Sequence, residues 1–76
     1  MRALLRDKDD STLIAIEVSE AVYDPEEQRI LLYTFTDTCY AVERIVEANA
    51  DSLIRTLHMS GCADFSSYPG SLFEEE

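Results

Sequence analysis

The sequence predicts an α+β domain: a small antiparallel sheet of three to four strands, about 2–6, 12–23, 29–36 and 39–45, with one helix, about 47–60, packed on one face. Three observations lead there. Arg29-Ile30-Leu31-Leu32-Tyr33-Thr34-Phe35 is apolar on both alternating faces, as a strand covered on both sides should be. Tyr23-Asp24-Pro25-Glu26-Glu27-Gln28-Arg29 just before it has the chemistry of a type I turn, since proline pre-sets the φ that the turn requires. Leu53, Ile54 and Leu57 form a helical stripe that stops at Gly61, a good left-handed terminator.

Taken in order, residues 2–6 read as a short edge strand and Asp7 to Ser11 as a charged turn. Ile14, Ile16 and Val18 then share one alternating, β-branched face that runs on toward Tyr23. A helix through Ile14, Val18, Ala21 and Val22 is the competing reading. A four-residue loop, Pro25 to Gln28, pairs Asp24 with Arg29, Val22 with Leu31, Glu20 with Tyr33 and Val18 with Phe35. This register places Ile14, Ile16, Val18, Val22, Leu31, Tyr33 and Phe35 on one core face, with Glu20 the only misfit.

With Asp37 and Thr38 at the next tip, Phe35 pairs with Tyr40 and Tyr33 with Val42. In the helix, Val46 and Ala50 extend the stripe backward and Asn49 is the expected cap. Cys62 is placed for the apolar contact that closes the left-handed motif. A helix beginning near Val42 is the rival reading. Residues 63–76 read as a tail of the single 1–76 domain, partly packed through Phe65, Tyr68, Leu72 and Phe73, with its acidic end solvated. The opposite sheet face, with Ala21, Tyr23, Ile30, Leu32, Cys39, Ala41 and Ile45, would then be a bare apolar patch, which usually marks an interface.

Composition narrows the function. Seventy-six residues make one domain, of a size that buries only about 60% of its unfolded surface. Two glycines and two prolines leave few loops from which to build an enzyme cleft. Sixteen carboxylates against six Lys and Arg give a net charge of −10 and a pI near 4.2. That balance disfavours direct contact with nucleic acid or an anionic membrane and favours a basic protein partner, although acidity also serves solubility alone. The start Met1-Arg2-Ala3-Leu4-Leu5-Arg6 has the flavour of a signal peptide, but Asp7-Lys8-Asp9-Asp10 interrupts it. A cytoplasmic protein with free thiols is expected.

Candidate chemistry is sparse. Cys39, His58 and Cys62, with Asp64 as a fourth ligand, are the only metal set on offer, and core packing explains the cysteines as well. The same trio has no orienting group or oxyanion hole, so no catalytic, metal or cofactor role is expected. The carboxylates are the better lead: Asp9, Asp10, Glu17, Glu20, Asp24, Glu26, Glu27, Glu43 and Glu47 surround the first long hairpin and the passage into the helix. Strand residues two apart lie about 6.8 Å from one another, so a sheet can hold charges in a spaced array that imitates nucleic acid.

In size and charge alone the chain resembles phage-encoded inhibitors that imitate nucleic acid, including some anti-CRISPR proteins. No motif aligns, so no residue is carried over. Ser71-Leu72-Phe73 resembles the end of the bacterial sliding-clamp-binding peptide, but Pro69 and Gly70 stand where glutamine and leucine belong.

The expectation is therefore a non-enzymatic protein that meets a basic partner through its acidic residues, anchored by Tyr23, Ile30, Leu32 and Ile45. The alternative is an assembly module that forms a homodimer through that apolar face.

Overall fold

The computed structural model describes residues 1–73. Six elements follow in order: β1 (Arg2–Asp7), β2 (Leu13–Asp24), β3 (Arg29–Thr34), β4 (Cys39–Val42), α1 (Glu47–Ser60) and β5 (Cys62–Phe73). The α+β class holds, but the sheet has five strands rather than three or four, and it is closed on itself. The strands go round in sequence order; neighbours run antiparallel except β5 and β1, which close the barrel in parallel.

The fifth strand occupies much of the expected tail. Ser66, Ser67 and Pro69 break the alternation there, and the register of β5 on β1 slips between Leu4 and Arg6. Gly70 lies where β5 is squeezed between neighbours, pairing with Asp7 on one side and Val42 on the other. A Cβ at this position would stand 3.3 Å from the Arg6 carbonyl oxygen. Residues 74–76, expected as a solvated acidic end, lie outside the described residues.

The first hairpin forms as its turn chemistry demands. Asp24 pairs with Arg29, Val22 with Leu31 and Glu20 with Tyr33, while the Asp24 carboxylate accepts the Glu26 N–H at 3.1 Å. Beyond Glu20 the expected register fails, because Val18 pairs with Thr34 and Ser19 is an extra residue in β2. This bulge reverses which side of the strand faces inward. The Ser19 hydroxyl donates to the Tyr33 and Thr34 carbonyls, at 3.1 and 3.3 Å, steadying the bulge. Ile16 and Val18 point into the core before it and Ala21 and Tyr23 after it, leaving Glu20 and Val22 outside.

The expected two faces are consequently exchanged along β3. Ile30 and Leu32 are fully buried in the barrel, whereas Leu31 and Tyr33 are half-buried on its outer side and Phe35, 73% exposed, lies past the strand end. The second hairpin is also shifted. Residues 35–38 form a four-residue connection, so Tyr33 pairs with Cys39 and Leu32 with Tyr40. Asp37 takes a left-handed φ of 60° there, and the hydroxyls of Thr34, Thr36 and Thr38 bond among themselves. The following strand ends at Val42 rather than Ile45.

The helix spans the expected residues, and Gly61 ends it with φ 76° and an N–H donated to the Leu57 carbonyl at 2.9 Å. Its N-cap is Val46 rather than Asn49, and no side chain caps it. Val46, expected to extend the apolar stripe, and Cys62, expected to close the left-handed motif, are both exposed. Ala50 and Leu57 join Phe65, Ile45, Leu5 and Val18 in one core, and the helix packs on β2 and β5. The helix therefore seals an interior that the barrel already encloses. It does not cover one side of an open sheet.

Candidate partner-binding surface

Closure removes the expected apolar anchor. Ile30, Leu32 and Ile45 are fully buried, and Tyr23 is half-buried with its hydroxyl donated to the Ile45 carbonyl at 2.9 Å. A partner or second copy cannot reach the first three without opening the barrel. That correction also removes the face through which a homodimer was expected.

Most of the anticipated carboxylates meet at one end. The β1–β2 loop is joined to the passage after β4 by the Lys8–Glu43 ion pair at 3.7 Å, and the first hairpin turn is joined to it by the Ile45 N–H on the Gln28 carbonyl at 2.9 Å. Asp9, Asp10, Asp24, Glu26, Glu27, Glu43 and Glu47 thus share this end with Lys8, Arg29 and Arg44. Glu17 and Glu20 lie elsewhere, outward on β2.

Three of the nine are engaged inside the chain: Glu17 with Arg2 at 2.9 Å, Asp24 with Arg29 at 3.4 Å and Glu43 with Lys8. Asp10 accepts the Thr12 N–H at 2.9 Å, and hydrogen bonds from Thr12 hold its carboxyl below the ordinary range. Asp9, Glu20, Glu26, Glu27 and Glu47 are exposed and have no ion pair among the described residues. Tyr23 lies below this rim; burial raises its phenol first, and the charges of Glu47 and Asp24 raise it further.

The outer side of the barrel carries a second arrangement, which brings together Tyr33, expected on the core face, Cys39, expected on the bare apolar face, and Glu20, expected among the partner-binding carboxylates. The registers put Glu20, Tyr33, Cys39 and Phe73 in one row across β2, β3, β4 and β5. Cys39 and Ala41 are buried but stand outside the central core cluster, consistent with cover from this outer layer. The Arg29 guanidinium lies 4.7 Å from the centroid of the Phe73 ring, a cation–π contact that ties the end of β5 to β3. A groove of about 670 Å³ runs between Tyr33 and Phe73, with Asp37 and Leu72 on its border. Glu20, the one misfit in the apolar face, was the available sequence signal for this layer.

Other candidates come apart. Among the described residues no three His, Cys, Asp or Glu side chains form a metal set; Cys39 is buried on β4 and Cys62 is exposed at the start of β5. Ser71-Leu72-Phe73 is paired along β4 and is not a free peptide. No described helix is long and apolar enough to cross a membrane. Compared with known family models, curated proteins and solved structures, the chain gives no match.

Proposed function

We propose that this is a small, acidic, non-enzymatic binding protein of the cytoplasm that engages a basic protein, in its sharpest form by imitating nucleic acid. One observation carries the reading: Asp9, Glu26, Glu27 and Glu47, exposed and outside any ion pair among the described residues, are brought to one end by three connecting segments. Fixed like charges on a small rigid body attract a basic groove over distances near the Debye length, about 8–10 Å at ordinary salt. They speed encounter more than they lengthen residence. A partner built to neutralise phosphates meets carboxylates in their place, and nucleic acid is kept out.

The test immobilises the protein, recovers partners from lysate over a salt series, and challenges them with duplex DNA. The expected partners are nucleic-acid-binding proteins released by added salt and displaced by the duplex. Replacing Glu26 and Glu27 by lysine should weaken capture. Recovery of only salt-insensitive apolar partners overturns the proposal.

A further inference from the structure

We infer that the outward face of α1 is the surface on which a second copy of this chain docks, its helix antiparallel to the first. This surface is separate from the sheet face that closure of the barrel buries. The inward side of α1 belongs to the core, where Ala50 and Leu57 are buried and Leu53 and Ile54 pack against the cluster. Ala48, Asp51, Ser52, Arg55 and Met59 point the other way, all exposed, and border a groove of about 550 Å³.

Charge singles this face out and selects the occupant. The chain carries a net charge of −10, yet these residues bring one aspartate and one arginine, so the face is neutral. Neither Asp51 nor Arg55 has an ion pair among the described residues. They are one turn apart and lie on the same flank of the face. A two-fold axis across antiparallel helices keeps each flank on its own side and reverses the order along it. Asp51 therefore meets Arg55 of the second copy, and Arg55 meets its Asp51. A parallel arrangement would set aspartate level with aspartate and arginine level with arginine.

Shape agrees with charge. The same axis, passing between Ser52 and Arg55, brings Met59, which is 80% exposed, over Ala48 of the second copy. A long, adaptable side chain there meets a short one, and Ala48 and Ser52 let the two backbones approach. The Thr56 hydroxyl beside them donates to the Ser52 carbonyl at 2.9 Å and needs no partner from outside. Repulsion between two acidic bodies is also least this way. Glu47 opens the helix at the acidic end. A helix of 14 residues is about 21 Å long, so antiparallel docking holds the two acidic ends apart by more than the Debye length of about 8–10 Å.

The experiment is sedimentation equilibrium of the full chain at ordinary salt, over a concentration series reaching the millimolar range. The native chain should form a dimer and nothing larger, because an isologous patch closes on itself. Asp51→Arg and Arg55→Asp should each weaken dimerisation roughly tenfold or more, the scale of two exposed pairs exchanged for two like-charge contacts. Equimolar mixing of the two variants should restore the dimer, since the introduced arginine meets the introduced aspartate while native Arg55 meets native Asp51. That restoration also shows that both variants are folded. Net charge alone predicts otherwise: Asp51→Arg removes one negative charge and adds one positive, taking −10 to −8, and would promote association. A native chain that stays monomeric throughout, an Asp51→Arg variant that associates as well as the native chain, or a mixture no more associated than its components overturns the docking surface. Each of these results leaves the acidic-end proposal standing.

Discussion

The two sides of β3 are the instructive contrast. Ile30 and Leu32 point inward and are wholly removed from solvent by the barrel and the helix. Leu31 and Tyr33, one residue away from each, are half-buried in a layer made of side chains from β2 to β5. The inner row is enclosed on every side, so its packing stabilises the fold. The outer row is only partly removed from solvent, so its packing contributes less to the fold. Closure of the sheet, rather than the apolar content of the strand, separates the two roles.

The sharpest way to break that contrast is to truncate each row in turn. Leu32→Ala opens a cavity in the sealed core and should cost about 2–5 kcal/mol, a large share of the stability of so small a domain. Leu31→Ala removes a half-buried side chain whose site can fill with water, and about 1 kcal/mol is expected. Urea denaturation of both variants decides the matter. Equal losses would mean that the outer layer is as much core as the inner one.

Gly70→Ala probes the seam where the barrel closes. An alanine within a strand normally gains from reduced chain entropy, but the new methyl would meet the Arg6 carbonyl oxygen at 3.3 Å and Leu5 Cβ at 3.7 Å. Backbone on both sides limits relief, so a net loss of about 1–3 kcal/mol is expected from thermal melts. A neutral or stabilising result would show that β1 and β5 can separate cheaply.

A smaller effect tests the device that divides inside from outside on β2. Ser19→Ala deletes the hydroxyl that bonds to the Tyr33 and Thr34 carbonyls and should cost about 0.5–1.5 kcal/mol. Amide exchange should quicken around Val18 to Glu20 while the Asp24–Arg29 end stays protected. Uniform quickening along the hairpin would deny the bulge a local role.

These residues also mark how far the sequence could be read. The first hairpin and the helix were legible because Asp24-Pro25 and Gly61 act locally, on their own backbone. The bulge left one trace, Glu20 on an otherwise apolar face, but a single polar residue in a strand can also be a tolerated exception. The closing strand left none, because its serines and Pro69 erase period-two patterning and its partner β1 lies some sixty positions away. The candidate surface was half legible. Counting carboxylates found the acidic end, but the engagement of Glu17, Asp24 and Glu43 by Arg2, Arg29 and Lys8 depends on tertiary approach. The outer aromatic row required both the bulge and the fifth strand to be known.

The smallest expected effect concerns Tyr23, which lies on the boundary between the two sides and beneath the acidic rim. Burial, then Glu47 and Asp24, raise its phenol above the ordinary 10.0. The folded state therefore prefers the protonated phenol. The resulting stabilisation is fully present below pH 10 and is lost as pH rises through the folded value. Tyr23→Phe gives up the bond to the Ile45 carbonyl at neutral pH but has no phenol to ionise. Its stability deficit, measured by urea denaturation, should narrow as pH is raised above 10; a constant deficit would remove the assigned cause. The same phenol reports on the rim above it. A cationic partner that neutralises Glu47 takes away one of the charges holding the phenol up, so bound protein should ionise Tyr23 at lower pH than free protein in the alkaline ultraviolet spectrum. A partner seated away from this rim should leave that ionisation where it was.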